Sequence, residues 1–197
     1  MDRLTSAVGV WEQGPSADDR SEHVMPTRIL LEGRPGSGKT TAIRRMAALL
    51  RTRETVGFTT EEIREGGARV GFALETLTGH RGVLARVGSP GPERVGRYGV
   101  DIGVMERLAV PSLATPPEPG TLVLIDELGR MELAHPPFRE AVLAVFAADV
   151  DVVATVHAQH GPFTDVLKRR PDVELIRLSR ANRDLLPERL AARLEGR

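Results

Sequence analysis

The segment from Gly33 to Thr40 restricts the possible folds of this chain more than any other. It fits the pattern G-x-x-x-x-G-K-[ST] at every fixed position, with the residues Gly33, Arg34, Pro35, Gly36, Ser37, Gly38, Lys39 and Thr40. An apolar run of strand length, 28–32, precedes it, and apolar residues at helical spacing follow over 41–50. This order of strand, glycine-rich loop and helix predicts a phosphate-binding site, because loop amides and a helix N-terminus both attract anions.

The motif assigns roles to its polar residues. Lys39 is expected to contact the β- and γ-phosphates of a nucleoside triphosphate, and the Thr40 hydroxyl is expected to ligate Mg²⁺. Residues 33–41, which include Thr41, are the predicted nucleotide-binding loop. Lys39 and Lys168 are the only lysines in a chain that otherwise uses arginine. A compact ammonium group at position 39 suits a narrow phosphate cradle better than a planar guanidinium group does.

Composition limits the classes of partner. The chain has 197 residues, a formal net charge of zero and no cysteine, and 41% of its residues are hydrophobic. Zero net charge argues against binding to nucleic acid or to an anionic membrane surface. The absence of cysteine excludes disulfides and thiolate metal sites, and it suits a cytoplasmic protein. The sequence contains neither a membrane-spanning apolar run nor a secretory signal, and it identifies no protein partner.

Two parts of the chain differ in pattern. Residues 1–26 are polar and aperiodic, which predicts a flexible N-terminal extension, and 27–197 form the predicted domain. In that domain strand-like and helix-like segments alternate, which predicts an α/β fold with a parallel sheet. The predicted strands are 28–32, 56–59, 69–75, 82–87, 121–126, 151–156 and 173–178. The predicted helices are 41–50, 102–110, 137–147, 164–169 and 181–195. Strands 69–75 and 82–87 are expected to form an antiparallel hairpin, and the proline-rich stretch 111–120 a surface connection.

A second motif lies at the end of strand 121–126. The aliphatic run there ends in Asp126 and Glu127, and the carboxyl ends of parallel strands are where ligands bind. Asp126 is expected to lie near the phosphate loop and to hold the hydration shell of Mg²⁺. Glu127 is expected to orient or deprotonate the attacking water.

The neighbouring carboxylates bear on the class of reaction. A glutamate directly after the aspartate is typical of P-loop hydrolases that have an extra strand between the two motifs. The long segment between Thr40 and Asp126 leaves room for that strand. Kinases of small acceptors usually lack this glutamate. The Asn-Lys-x-Asp motif that reads guanine is absent, so strict guanine specificity by that route is not expected.

Several segments together carry a family resemblance. They are the phosphate loop and the ranges 57–72, 84–85, 95–101, 126–133 and 182–184. The chain resembles the THEP-type nucleoside-triphosphatase family, which includes the cancer-related nucleoside triphosphatase, over about residues 27–195. The element Asp-Glu-Leu-Gly-Arg-Met-Glu-Leu, 126–133, is much more specific than the phosphate loop alone. Positions 34–37 depart from the usual family residues, but they are variable loop positions at which we expect no loss of binding.

The resemblance implies a fold and an activity. It implies a three-layer P-loop NTPase fold with a RecA-like, mostly parallel sheet, to which the hairpin is added. It also implies slow, Mg²⁺-dependent hydrolysis of ATP, GTP, CTP and UTP to the diphosphate and phosphate, with little discrimination between bases.

Further side chains are weaker candidates. Arg64 and Arg69 follow the second strand, where an arginine finger would stabilise the transition state in cis or in trans, and surface ion pairs are the alternative. Arg130 follows the carboxylate turn, and Thr155 is either a polar sensor of the γ-phosphate or an ordinary strand residue. The last candidates, Asn182 and Arg183, match the family pattern near a helix start. Asn182 is either a helix cap or a contact to the base or ribose.

Three functions remain open on sequence alone. The first is a nucleoside-triphosphate hydrolase with Lys39 and Glu127 as catalytic residues. The second is a nucleoside or small-metabolite kinase for which hydrolysis is a side reaction. The third is a switch protein in which hydrolysis times an interaction with a partner.

Overall fold

The computed structural model describes residues 25–90, 93–114 and 120–195. The strands are β1 (Arg28–Gly33), β2 (Thr55–Glu65), β3 (Ala68–Thr76), β4 (Arg81–Val87), β5 (Glu93–Val95), β6 (Tyr98–Val100), β7 (Leu122–Ile125), β8 (Asp151–His157) and β9 (Val173–Arg177). The helices are α1 (Lys39–Leu49), α2 (Ile102–Val104), α3 (Pro111–Ala114), α4 (Pro136–Ala147), α5 (Pro162–Lys168) and α6 (Leu186–Glu195). A π-helical segment, Met105–Ala109, joins α2 to α3, and a 3₁₀ turn, Glu132–Ala134, precedes α4.

All described strands belong to one mixed sheet, in the order β5-β6-β4-β3-β2-β7-β8-β1-β9. Neighbouring strands pair in parallel along β2-β7-β8-β1-β9. Neighbouring strands pair antiparallel along β2-β3-β4-β6-β5. The α/β fold and its mostly parallel core are therefore confirmed. The strand that separates β1 from β7 is β8, which lies after Asp126 in sequence. The segment between Thr40 and Asp126 does not supply it, so that expectation was wrong.

Helices cover both faces of the parallel core, which gives three layers. Alternate residues of β1 point to opposite faces: Leu30 packs with α4, whereas Ile29 and Leu31 pack with α1 and α6. Every residue of β1 and β7 is buried. This explains why both strands read as continuous apolar runs rather than as alternating patterns.

The antiparallel part of the sheet is larger than the sequence predicted. The predicted hairpin of β3 and β4 is confirmed. The charged stretch after residue 60 is not a separate element, however, because it continues β2 to Glu65 and pairs with β3. Gly66 and Gly67 form the two-residue turn between these strands, both with positive φ. A Gly-Gly pair is a strong hairpin signal, and the many charged side chains around it concealed the signal.

Other boundaries differ by a few residues. Segment 102–110 is helical as predicted, but Pro111 opens α3 rather than a surface connection, since proline is tolerated in the first turn of a helix. The last helix begins at Leu186 rather than at residue 181. The short strands β5 and β6 were not predicted. Residues 1–24 of the predicted extension and 115–119 of the predicted connection lie outside the described residues.

Among the described residues, no helix is both long enough and apolar enough to cross a membrane.

Candidate active site

The phosphate loop joins the carboxyl end of β1 to the N-terminus of α1. Gly36 and Gly38 have φ values of 73° and 99°, which only glycine adopts without strain. A Cβ at Gly33 would stand 2.3 Å from Ser37 Oγ and 3.2 Å from Lys39 Cγ, so these two side chains pack closely against this glycine. The first turn of α1 carries no acidic residue, so its partial positive charge stays available to an anion. The loop therefore has the backbone and the charge that a phosphate group requires.

Lys39 lies in the loop with its ammonium group facing the end of β7. Nζ donates to the carbonyl oxygens of Gly33 at 3.2 Å and Arg34 at 3.4 Å. It also forms an ion pair of 3.1 Å with Glu127 Oε2. Lys39 is only 6% exposed, whereas the Glu127 side chain is 28% exposed. The structure thus brings the two predicted catalytic residues into contact.

Asp126 is the most tightly held carboxylate of the site. It is fully buried at the end of β7. Oδ1 accepts a hydrogen bond of 2.7 Å from the Thr155 hydroxyl, and Oδ2 accepts longer bonds from the Thr60 hydroxyl and amide, at 3.3 and 3.4 Å. Thr155 is fully buried, and its hydroxyl contacts the Asp126 carboxylate. Sequence reasoning missed Thr60, because β-branched residues are ordinary in strands.

The turn after β7 adds a third carboxyl group, Glu132, to which sequence reasoning gave no role. Leu128 N donates to Thr155 O at 2.9 Å and holds this turn against β8. A Cβ at Gly129 would lie 2.6 Å from Glu132 Oε2 and 3.2 Å from Glu127 Cγ, so the side chains of Glu132 and Glu127 both pack against this glycine. Burial, and then the charges of Glu127 and Asp126, raise the pKa of Glu132 to about 8. Glu132 is therefore protonated at neutral pH.

These residues line a cavity of about 640 Å³ at the carboxyl edge of the sheet, a size typical of small-molecule sites. Its phosphate-loop side is formed by Pro35, Gly36, Gly38, Lys39, Thr40 and Thr41. Its opposite side is formed by residues of β2, β3 and β5, namely Thr60, Glu61, Glu62, Arg64, Arg69, Phe72 and Val95.

Four of the predicted arginines line the cavity: Arg64, Arg69, Arg130 and Arg183. Arg64 and Arg69 are both held by Glu62, at 2.6 and 2.7 Å, so the predicted ion pairs exist at the rim of the cavity itself. Their hydrogen bonds lower the pKa of Glu62, the Arg69 bond most strongly. Arg130 is exposed beside the carboxylate turn.

The two candidates near the C-terminus have different positions. Arg183 lies over the phosphate loop, with its Cδ 3.5 Å from the point where a Cβ of Gly38 would stand. Asn182 does not cap α6. Its Oδ1 accepts from Ser179 N at 2.8 Å and its Nδ2 donates to Arg177 O at 2.9 Å. Asn182 therefore shapes the connection that carries Arg183 from β9 to α6.

Comparisons with known proteins agree with this geometry. A family model described as NTPase matches residues 28–191. The nucleoside-triphosphatase THEP1 of Thermotoga sp. (strain RQ2) is 44% identical over 159 residues, which cover 81% of this chain and 90% of that protein. The cancer-related nucleoside-triphosphatase homolog of Bos taurus is 39% identical over 180 residues, which cover 83% of this chain and 95% of that protein.

Solved structures show the same similarity. The crystal structure of THEP1 from Aquifex aeolicus has a TM-score of 0.78 at 33% identity, covering 86% of this chain and 99% of that chain. The solution structure of a human cancer-related nucleoside triphosphatase has a TM-score of 0.73 at 34% identity, covering 86% of this chain and 98% of that chain. The predicted resemblance is thus confirmed, and this chain belongs to the THEP-type nucleoside-triphosphatase family.

Proposed function

We propose that this protein hydrolyses nucleoside triphosphates to the diphosphate and phosphate in a Mg²⁺-dependent reaction. The observation that carries the proposal is the 3.1 Å ion pair between Lys39 and Glu127. It joins the phosphate loop to the carboxylate turn at the place where a γ-phosphate would lie. The names of the relatives, which are nucleoside-triphosphatases, support the same reaction.

The ion pair also suggests how the site changes when the substrate binds. Lys39 has three acceptors without substrate: two loop carbonyls and Glu127. A triphosphate is a stronger partner for this ammonium group than a neutral carbonyl or a single carboxylate, because it carries several negative charges on several acceptor oxygens. Once Lys39 turns to the phosphate oxygens, Glu127 loses its ion pair with Lys39. Its carboxylate then accepts a hydrogen bond from a water molecule and takes the proton as that water attacks the γ-phosphorus.

The residues present fit a hard cation beside this water. Thr40 offers a hydroxyl at the start of α1, and Asp126 offers a carboxylate whose Oδ2 has only the two long contacts from Thr60. Oxygen ligands of this kind are those that Mg²⁺ prefers. The ion would neutralise charge on the β- and γ-phosphates, while loop amides and Lys39 orient the chain of phosphates in line with the water.

The proposal extends to base tolerance and location. The side chain that approaches the loop from the β9–α6 connection is Arg183, an exposed guanidinium that suits phosphate and ribose rather than one base. We therefore expect ATP, GTP, CTP and UTP to be substrates. The cysteine-free composition favours a cytoplasmic protein.

The experiment that tests this function measures phosphate release from each of the four triphosphates with and without Mg²⁺. We expect Glu127→Gln to lower kcat by about 100-fold to 10,000-fold, the usual contribution of a general base. Nucleotide binding, measured by fluorescence titration with a labelled analogue, should persist in this variant because the loop is intact. An unchanged kcat in Glu127→Gln, or phosphate release that does not depend on Mg²⁺, would contradict the proposal.

A further inference from the structure

The cavity extends further than hydrolysis requires. Its two sides lie on opposite sides of β7 in the sheet order β3-β2-β7-β8-β1-β9. Arg183 reaches the loop from the β9 side. Phe72 and Val95 line the cavity on the far side, beyond β7. A water molecule needs only the space beside Glu127, so these two apolar side chains have no part in hydrolysis.

The orientation of a bound triphosphate decides which of its ends faces Phe72. Lys39 and Thr40 hold the β- and γ-phosphates in a loop of this type, and Asp126 and Glu127 end β7. The γ-phosphate therefore points toward β7, and the nucleoside end points away from it, toward Arg183. Phe72 and Val95 consequently lie beyond the γ-phosphate, which is the direction from which an acceptor attacks in line.

Hydrogen bonds and a ring contact hold the side chains on the far side of the cavity. Phe72 pairs in register with Glu62, two residues past Thr60, so it rises roughly 7 Å above the level at which Thr60 contacts Asp126. The Arg69 guanidinium lies 5.2 Å from the centroid of the Phe72 ring. Glu62 fixes that guanidinium at 2.7 Å and Tyr98 fixes it at 3.2 Å. Glu62 Oε2 also accepts from Arg64, at 2.6 Å, so Glu62 and the two arginines form an ion-pair cluster beside the apolar surface.

This combination matches the chemistry of a nucleoside. A flat heteroaromatic base gains from burial against an aromatic and an aliphatic side chain. The edge of the base also carries acceptors suited to arginine, a pairing that proteins use to read bases. The ribose would then present a hydroxyl group to the γ-phosphate.

We propose that the cavity side formed by Glu62, Arg69, Phe72 and Val95 binds a nucleoside that accepts the γ-phosphoryl group of the bound triphosphate. The acceptor oxygen forms a bond to the γ-phosphorus, and the bond from that phosphorus to the bridging oxygen breaks. The nucleoside diphosphate leaves with that electron pair, and the hydroxyl proton passes to the Glu127 carboxylate. The products are a nucleoside monophosphate and a nucleoside diphosphate. This inference rests on the proposed function, since a triphosphate must occupy the loop.

The test incubates the full chain with Mg²⁺ and ATP labelled in the γ-phosphate, together with adenosine, guanosine, cytidine, uridine or thymidine. We expect label in at least one nucleoside monophosphate, besides free phosphate. Tubes without a nucleoside report hydrolysis alone. Phosphate release with no label in any of the five nucleosides would overturn this inference and leave the proposed hydrolysis intact. No release and no transfer would overturn both.

Variants test the place of binding. Phe72→Ala should lower the ratio of nucleoside monophosphate to free phosphate at least tenfold, and Val95→Ser should lower it in the same direction if Phe72→Ala folds poorly. The matched control is Val166→Ala, which shortens an exposed valine of α5 outside the cavity and should leave the ratio unchanged. A rise in the KM for ATP in Phe72→Ala without nucleoside would mean that Phe72 contacts the base of the triphosphate itself, which would also overturn the inference.

Discussion

At the scale of single residues, three carboxyl groups in one cavity differ because their surroundings differ. Asp126 is buried among hydroxyl and amide donors, Glu127 is paired with Lys39, and Glu132 is buried near both of these carboxylates. Donors and cations stabilise a carboxylate, whereas burial alone favours the neutral acid. The three carboxyl groups therefore share one cavity but differ in their contacts and burial.

Thr155 should matter through Asp126. Replacing Thr155 by Val removes the 2.7 Å hydrogen bond to Oδ1 and keeps the size of the side chain. Partners of this kind orient a metal ligand, and their loss typically weakens metal binding by about tenfold or more. We expect the Mg²⁺ concentration for half-maximal phosphate release to rise about tenfold in Thr155→Val. Thr155→Ser keeps the hydroxyl and serves as the control. An equal rise in both variants would mean that packing is responsible instead.

Glu132 should make stability depend on pH. Its pKa rises from 4.5 in the unfolded chain to about 8 in the folded protein. Between these two pH values the folded state binds one proton more than the unfolded chain. The stabilisation that this proton gives is fully present below pH 4.5 and is lost as pH rises toward 8. In Glu132→Gln the loss is absent, so the variant should gain stability relative to wild type as pH rises, by up to a few kcal/mol. Urea unfolding of both proteins at pH 5, 7 and 9 without Mg²⁺ measures this gain. A difference in the free energy of unfolding that does not change with pH would contradict the prediction.

At the scale of elements, β2 is the strand that builds the site. Its first residues pair in parallel with β7, and its second half continues past the end of β7 to pair with β3. One strand thus supplies both the core pairing and Thr60 and Glu62 of the cavity. The close approach of β2 to β7 depends on Gly57, which has a φ of 113°.

Gly57→Ala should be more destabilising than the same change at Gly66. The φ of 54° at Gly66 lies in the left-handed helical region, where alanine costs about 1 kcal/mol, whereas the φ of 113° at Gly57 lies outside that region and costs more. At Gly57 the new Cβ would also overlap Leu124 O of β7, whereas nothing lies within 4 Å of a Cβ at Gly66. We expect a loss of about 3 kcal/mol or more for Gly57→Ala. Chemical denaturation of both variants measures it, and similar losses would show that β2 relaxes away from β7.

At the scale of the whole molecule, the two ends of the parallel strands have different roles. The edge formed by their carboxyl ends carries the phosphate loop and the carboxylates. The amino edge carries buried ionic contacts: Arg53 contacts Asp151 Oδ2, Leu194 O and Gly120 O, each at 2.7 Å. These bonds tie α6 to the starts of β7 and β8. Arg28 similarly donates to Phe146 O and Ala148 O at the end of α4.

Arg53→Ala should therefore affect stability without changing chemistry. It leaves Asp151, which is only 5% exposed, without its cation. Breaking a buried pair typically costs about 3 kcal/mol or more, which corresponds to a Tm decrease on the order of 10 °C. The rate of phosphate release at 25 °C should stay within twofold. Arg45→Ala removes an exposed ion pair to Glu188 and should shift Tm by no more than about 2 °C. Equal Tm decreases in the two variants would contradict the expected difference between a buried and an exposed ion pair.

The sequence by itself determined the local chemistry: the loop at residues 33–40, the aliphatic strand ending in Asp126 and Glu127, and the alternation of strands and helices. These signals are local because backbone conformation, burial and phosphate affinity all follow from neighbouring residues. Tertiary structure alone decided which distant residues meet. It put β8 between β1 and β7, Thr155 on Asp126, and Glu132 in a buried position. It also separated the structural Arg53 from the cavity-lining Arg69, since identical guanidinium groups differ only in what the fold places around them.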